Sequence, residues 1–369
     1  MSRSCLVVDD SRVVRKAPAA ATVVRVMICD DSIVIRGAIA RILESDPEIR
    51  VVAKVANGRA AVEEIRRTAV DVVVLDIEMP IMDGMAALPL LLQADPGVRV
   101  IMASTLTTRG AEIAMRALRL GAADYVPKPS SVGTQGNEDF RRELMGKVKG
   151  LARQRRPSGQ AARPRASIAL RPAPPFVARL LAVGSSTGGP QALFTLVQGL
   201  GRGVNVPVVV TQHMPATFTP ILADHITRLG FMPCTEARDG EVMVGGRIYL
   251  APGDRHLLVE GGRTGLRAKL TSDPPENFCR PSVDPMLRSA AAACEGRVLV
   301  AMLTGMGHDG LEGTRRVIEA GGCAIGQDEA SSVVWGMPGA VAQAGLCHAV
   351  LPLPKISSKV LEMLKGARA

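Results

Sequence analysis

Val24-Arg25-Val26-Met27-Ile28-Cys29-Asp30-Asp31 is a nearly unbroken apolar run that ends in two carboxylates. A strand with one wet face alternates apolar and polar residues. A run without alternation is buried on both faces, as in a parallel sheet sandwiched between helices. The same style continues outward through GAIARILES, RVVAKVA, GRAAVEEIRR, VDVVVLD, MAALPLLLQ, VRVIMAS, RGAEIAMRALRLG, DYVPKP and a last helix through Glu143–Val148. Five such strands separated by helices predict an N-terminal α/β domain over residues 24–148, a doubly wound five-stranded parallel sheet. A second block, residues 177–367, repeats the pattern with RLLAVGSS, PQALFTLVQGL, VPVVVTQHM, a helix around Ile221–Leu229, a helix through Pro285–Cys294, RVLVAMLTGMG, LEGTRRVIEAG and a helix near Ser357–Leu364. It predicts a second doubly wound α/β domain. The Gly-rich stretch Gly245–Gly262 reads as a hairpin insertion within it.

The 369 residues suffice for two or three domains, and an apolar fraction of 47% excludes wholesale disorder. Aromatics make up only 2%, which argues against a base-stacking platform for single-stranded nucleic acid. The seven cysteines (5, 29, 234, 279, 294, 323 and 347) include no C-x-x-C pair and read as reduced thiols, neither a disulfide framework nor a zinc site. No apolar run reaches the ~18 residues a membrane span needs, and no signal peptide is visible, so the expectation is a cytoplasmic protein. The net charge of +10 is local. Between Leu144 and Ala223 there is no Asp or Glu, whereas Lys147, Lys149 and eight arginines fall there. Most of that charge lies in a Pro/Ala/Arg-rich stretch, read as a basic linker over residues 149–176 rather than as a nucleic-acid site. Residues 1–22 carry an echo: Leu6–Arg15 resembles Met27–Arg36, but runs into Pro18. They are read as an extra N-terminal fragment.

Asp30 and Asp31 end the first strand and Asp76 ends the third. In a parallel sheet the carboxyl ends of the strands share one edge, where ligands bind. Three carboxylates there repel one another unless a hard cation joins them, and Mg²⁺ suits oxygen ligands and a phosphoryl group. Ser104 follows the fourth strand and Lys128 the fifth, so the edge offers what accepting a phosphoryl group requires. A single Asp at a strand end is usually a helix cap. Five polar groups in order on one edge are not.

In the second block, Gly184-Ser185-Ser186-Thr187-Gly188-Gly189 joins a strand to a helix. It lacks the Gly-Lys-Ser/Thr ending of a P-loop, and Ser186 stands where a dinucleotide fingerprint needs its second glycine. As G-x-S-x-G it fits a nucleophile turn around Ser186. Of the five histidines, only His213 ends a clear parallel-type strand, whereas His225 and His256 read as structural. Asp309 follows RVLVAMLTGMG, and its neighbour His308 is poorly placed to pair with it. Ser186, His213 and Asp309 therefore fall at strand ends on one edge, which is the requirement for a triad. Helix capping is the bland alternative for each.

The first block resembles the two-component receiver domain. That resemblance implies metal ligation by Asp30, Asp31, Asp76 and the backbone carbonyl of Glu78. It also implies phosphoryl acceptance by Asp76, phosphoryl contacts from Ser104 and Lys128, a switching aromatic at Tyr125, and a phosphohistidine donor on a sensor kinase. With AVGSSTGGP, TQHMP, LAPGDRH, RPSVDP, LTGMGHDG and QDEASSVVWGMPGA in order, residues 24–367 together resemble the chemotaxis protein-glutamate methylesterase family, CheB. The implied activity is hydrolysis of receptor glutamate γ-methyl esters, with glutamine deamidation at the same site. Ser186, His213 and Asp309 would be catalytic, with Thr187 and Met306 near the oxyanion. Mg²⁺ would serve the receiver and no cofactor the esterase. The partners would be methyl-accepting receptors and a chemotaxis histidine kinase, at receptor arrays, without nucleic acid or membrane insertion. A receiver joined to a nucleic-acid effector, or to a hydrolase fold without activity, is the competing class.

Overall fold

A computed structural model describes residues 23–105, 107–128, 134–155, 168–172, 177–262 and 265–365. The echo in residues 1–22 and most of the basic stretch lie outside the described residues.

The N-terminal sheet has the order β2-β1-β3-β4-β5, all parallel, built from β1 (Val24–Cys29), β2 (Ile49–Val55), β3 (Val72–Asp76), β4 (Arg99–Ser104) and β5 (Asp124–Pro127). Every residue of β3 is buried, as its continuous apolar run requires. The intervening helices begin where short polar side chains satisfy their first free amides. Ser32 caps α1 (Ile33–Glu44), Asn57 caps α2 (Gly58–Ile65), Asp83 caps α3 (Gly84–Ala94) and Thr107 caps α4 (Thr108–Arg119). In α4 the residues Ala111, Ala114, Met115 and Leu118 recur at helical spacing and are all buried.

α5 (Thr134–Arg155) is far longer than the helix read from the sequence and continues into the stretch assigned to the linker. The sequence pattern ends early because Gly146, Gly150 and the lysines interrupt the apolar stripe; below, those glycines prove to be a packing surface. The supposed linker also touches the second domain. Ile168 packs on its core, and the Arg171 amide donates to the Cys347 carbonyl at 2.9 Å.

The C-terminal domain centres on a seven-stranded parallel sheet, β14-β13-β12-β6-β7-β9-β8. The strands are β6 (Leu180–Ser185), β7 (Val208–Gln212), β8 (Cys234–Glu236), β9 (Ile248–Leu250), β12 (Val298–Met302), β13 (Cys323–Gln327) and β14 (Ala349–Leu351). The hairpin expected over Gly245–Gly262 is corrected. Ile248–Leu250 is instead β9, a buried parallel strand beside β7, and the antiparallel hairpin is β10 (His256–Gly262) with β11 (Gly265–Thr271). Three residues are too few for periodicity to show, so β9 merged with its neighbour in the sequence. The hairpin lies on α8 (Val283–Ala293), where Ser289 Oγ accepts from the Val259 amide at 3.0 Å.

One hydrophobic core runs through both domains, joining Met27, Leu75, Met102 and Tyr125 to Leu181, Val210 and Phe218. Its bridge is the Tyr125 ring stacked on Phe218, with centroids 4.5 Å apart and planes 12° from parallel. Phe218 has no exposed surface. Phe218→Ala is therefore expected to lower the unfolding free energy by about 3–5 kcal/mol in urea titration. A loss below about 1 kcal/mol would show that this bridge carries little of the packing.

Candidate functional sites

The N-terminal site forms where β1 and β3, hydrogen-bonded neighbours, end together. Asp30, Asp31 and Asp76 each present a carboxylate oxygen there, all within 4.8 Å of one another. Asp30 and Asp76 are buried and Asp31 is exposed. Lys128 reaches in from the end of β5, with Nζ 2.8 Å from Asp30 and 2.7 Å from Asp76. Burial lifts the Asp76 carboxyl above its ordinary range, against the pull of Lys128. Burial also opposes the charge on Lys128, but the two carboxylates outweigh it and raise its pKa. Such a hard-oxygen cluster fits a divalent cation such as Mg²⁺. Ser104 is buried alongside, its carbonyl accepting the Lys128 amide at 2.6 Å. Glu78 has an exposed side chain facing Arg109 at 4.0 Å. Tyr125 stands apart from this cluster, in the stack with Phe218.

The C-terminal site grows from adjacent strands as well: β6 lies between β12 and β7, so the loops after all three open on one edge. Ser186 turns off β6 with its amide on the Thr304 carbonyl at 3.0 Å, and its own carbonyl accepts the Gly189 amide at 2.8 Å. The turn is completed by Gly188 at φ +73°, a left-handed conformation natural to glycine, directly before α6 (Gly189–Leu200). Gln212, the last residue of β7, braces it. Gln212 Oε1 accepts from Ser185 Oγ at 2.7 Å, while Nε2 donates to the carbonyls of Ser186 at 2.9 Å and His213 at 3.1 Å.

His213 Nε2 lies 2.7 Å from Asp309 Oδ2. Asp309 sits at the N-terminus of α8, accepting from the Val283 amide (2.7 Å), the Asp284 amide (3.1 Å), Ser282 Oγ (2.8 Å) and Asn277 Nδ2 (2.9 Å). Burial opposes its ionisation, but the His213 bond and these donors hold it below the ordinary carboxylate range. Burial likewise opposes charge on His213. The Asp309 bond and the Cys279 thiol, 3.4 Å from Nδ1, nonetheless carry it up to about 10. Among the described residues no hydrogen bond joins Ser186 to His213; both line one cavity of about 610 Å³. Thr187, Met306 and His308 line it too, and the amides of Thr187 and Met306 have no protein acceptor among the described residues.

The N-terminal domain closes this cavity with Asp124, Tyr125, Arg142, Glu143 and Lys147. Asp124 Oδ2 accepts the Gly188 amide at 3.0 Å, and buried Lys147 pairs with Asp124 at 3.3 Å and Glu143 at 2.6 Å. α5 presents Gly146 to Met306 and Gly150 to Val334. A Cβ on either would fall 2.1 Å from Met306 Sδ or 2.3 Å from Val334 Cγ2. His225 is buried in α7 (Thr219–Thr227) and lines a separate interdomain cleft of about 900 Å³. His256 is buried at the hairpin, accepting the Ser282 amide through Nδ1 at 3.2 Å. Both agree with the structural reading. The six described cysteines are free and five are buried. Gln212, Asn277 and Ser282 were not singled out, although TQHMP and RPSVDP contain two of them.

The fold is that of a receiver-type five-stranded domain joined to a second parallel α/β domain. The response regulator receiver domain family matches residues 26–134 and the CheB methylesterase family residues 181–360. The protein-glutamate methylesterase/protein-glutamine glutaminase of group 2 operon from Rhodospirillum centenum is 56% identical over 362 residues, covering 90% of this chain and 92% of its own. Its counterpart from Azospirillum brasilense is 55% identical over 368 residues, covering 93% of each chain. One from Paramagnetospirillum magneticum is 51% identical over 365 residues, covering 92% and 96%. The chain belongs to the protein-glutamate methylesterase/protein-glutamine glutaminase family. Among the described residues no helix is long and apolar enough to cross a membrane.

The His213–Asp309 pair has a readable pH signature. Raised from 6.5 to about 10, His213 contributes its full stabilisation below pH 6.5 and loses it as pH climbs toward 10. Asp309, held below 3.8, contributes above that value and loses its share in stronger acid. Histidine-ring NMR is expected to find His213 doubly protonated at neutral pH, whereas buried His225 and half-buried His348 titrate below 6.5. A His213 midpoint at or below 6.5 would contradict the ion pair.

Proposed function

We propose that this chain removes γ-methyl esters from chemoreceptor glutamates, releasing methanol, and deamidates receptor glutamines at the same site. Phosphorylation of Asp76 would control both. The observation that carries the reading is a single cavity lined by Ser186, His213 and Asp309 and capped by the receiver. The names of close relatives agree with the two activities.

Ser186 Oγ attacks the ester carbonyl as His213 takes its proton. With Nε2 on Asp309, the nitrogen for that transfer is Nδ1, freed from Cys279. The amides of Thr187 and Met306 suit the developing oxyanion. Methanol leaves with the proton returned by the imidazolium, and water then releases the carboxylate through the same base. With glutamine, ammonia is the leaving group. Since His213 acts from its neutral form, the rate is expected to climb from neutrality toward pH 10.

In the receiver, Asp30, Asp31, Asp76 and the Glu78 carbonyl would hold Mg²⁺, which when bound neutralises the phosphoryl oxygens during transfer. Asp76 accepts the phosphoryl group from a phosphohistidine of a chemotaxis histidine kinase. Lys128 then pairs with the new charge, and Ser104 contacts an oxygen. Tyr125, stacked on Phe218, and Asp124, on the Gly188 amide, link that event to the docked interface. Release of the receiver uncovers the cavity, a population shift toward the open form. The substrates imply that the chain acts at the cytoplasmic side of receptor arrays.

Methanol release from methylated receptor membranes tests the scheme. Ser186→Ala is expected to lower the rate at least about a thousandfold; near-normal activity would remove the triad. A small phosphodonor is expected to stimulate the parent protein but not Asp76→Asn, and equal responses would defeat the regulation. Gly150→Leu sets a side chain against Val334, so it is expected to raise activity without a phosphodonor several-fold. An unchanged rate would show that α5 does not gate the cavity.

A further inference from the structure

In the four-residue turn Glu276–Cys279 at the mouth of the esterase cavity, Asn277 and Cys279 touch the Asp309–His213 pair, but Phe278 between them serves no hydrolytic step. Glu276–Cys279 forms a tight turn in which the Glu276 and Cys279 amides each donate to the other's carbonyl, at 3.1 and 2.9 Å. Its two central residues, Asn277 and Phe278, hold φ values of +53° and +62°. Asparagine tolerates that left-handed region, but for a bulky residue such as phenylalanine it is an outlier. The conformation is held from outside. Asn277 Nδ2 donates to Asp284 at 2.8 Å and Asp309 at 2.9 Å, and Arg288 grips Glu276 at 2.5 and 2.7 Å.

That scaffold displays Phe278 with 84% of its surface exposed, in a chain that has only six phenylalanines. Even with the receiver docked, the ring buries almost nothing. Its one ring contact of note among the described residues is the Arg142 guanidinium of α5, 5.0 Å from the centroid. A strained backbone and a solvated aromatic ring each disfavour the folded chain. The bonds of Asn277 and Glu276 hold the backbone, but the exposed ring gains little from packing within the chain. The turn also lines the cavity that holds Ser186 and His213. This turn is therefore one wall past which a protein substrate can deliver a side chain to Ser186.

Building on the esterase reading, we propose that Phe278 is a substrate-docking residue. Its ring would insert into an apolar groove on the helical protein surface that carries the esterified glutamate. Exposed aromatics on rigid supports are effective anchors, because they bury large area at little entropic cost. Arg142, 5.0 Å over the ring in the docked form, leaves with α5 when the cavity opens, so the anchor stands beside catalytic groups that only then become reachable. A free small ester needs no such anchor.

The test compares methylated receptor in membranes with a small γ-methyl glutamate ester, using the full-length chain activated by a phosphodonor. For Phe278→Ala the ratio of kcat/KM on receptor to kcat/KM on the small ester is expected to fall about tenfold, mainly through a higher KM for receptor. Phe278→Trp is expected to restore the ratio. A ratio unchanged in Phe278→Ala overturns the assignment. If Phe278→Ala loses its fold, seen as loss of small-ester turnover and of the native circular dichroism, Phe278→Ser and Phe278→Trp decide by the same ratio. Small-ester turnover by the parent protein with no receptor turnover would instead sink the esterase reading itself.

Discussion

The buried carboxylate of Asp309 is the constraint on which the C-terminal site rests. A charge taken out of water must be met by donors, or it protonates instead. Here the first amides of α8, Ser282 and Asn277 meet it from one side and His213 from the other. α8 is thereby fixed at its N-terminus to the loop after β12, and His213 is held at the end of β7. The turn carrying Ser186 is braced from the same place through Gln212. One anion thus sets the relative positions of three strand ends.

The parts of this arrangement legible in the sequence were those with a repeating signal. Unbroken apolar runs such as VDVVVLD mark fully buried strands, and they gave the first sheet and three of the seven strands of the second. Carboxylates at strand ends announced the receiver cluster, because a parallel sheet brings such ends together whatever their spacing along the chain. β8, β9 and β14 escaped or were misjoined, since three residues hold no period, and β13 (Cys323–Gln327) escaped because its glycine and terminal glutamine break the apolar run. α5 was underestimated for a different reason. Its glycines and charges look like helix failure in isolation, but Gly146 and Gly150 are the contact with Met306 and Val334. The bracing side chains were hidden as well. Gln212 and Asn277 act by hydrogen bonds to backbone or to another acid, and no residue pattern encodes such partners.

The interface between the domains mixes two kinds of contact with different consequences. The Tyr125–Phe218 stack and the shared apolar core favour closure without direction. In the charged Asp124–Lys147–Glu143 group, Asp124 and Lys147 are buried and Glu143 is half-buried. Burial pushes the Asp124 carboxyl upward, and Lys147 and the Tyr125 and Gly188 amides oppose that shift. Groups of this type add little net stability, yet they penalise any placement that leaves one charge unmatched. The result is an interface in which apolar packing supplies strength and the charged group supplies registration.

The paired glycines of α5 give that registration a mechanical form. Gly146 and Gly150 are one helical turn apart, so together they make a notch that accepts Met306 and Val334 as two teeth. Sliding the helix by a single residue would offer a lysine side chain or a bulky aliphatic where each tooth now fits. A one-residue slip is therefore disfavoured, and the two glycines favour a single seating of α5 on the second domain. The cover over the hollow beneath it thus owes its exact fit to the absence of two side chains.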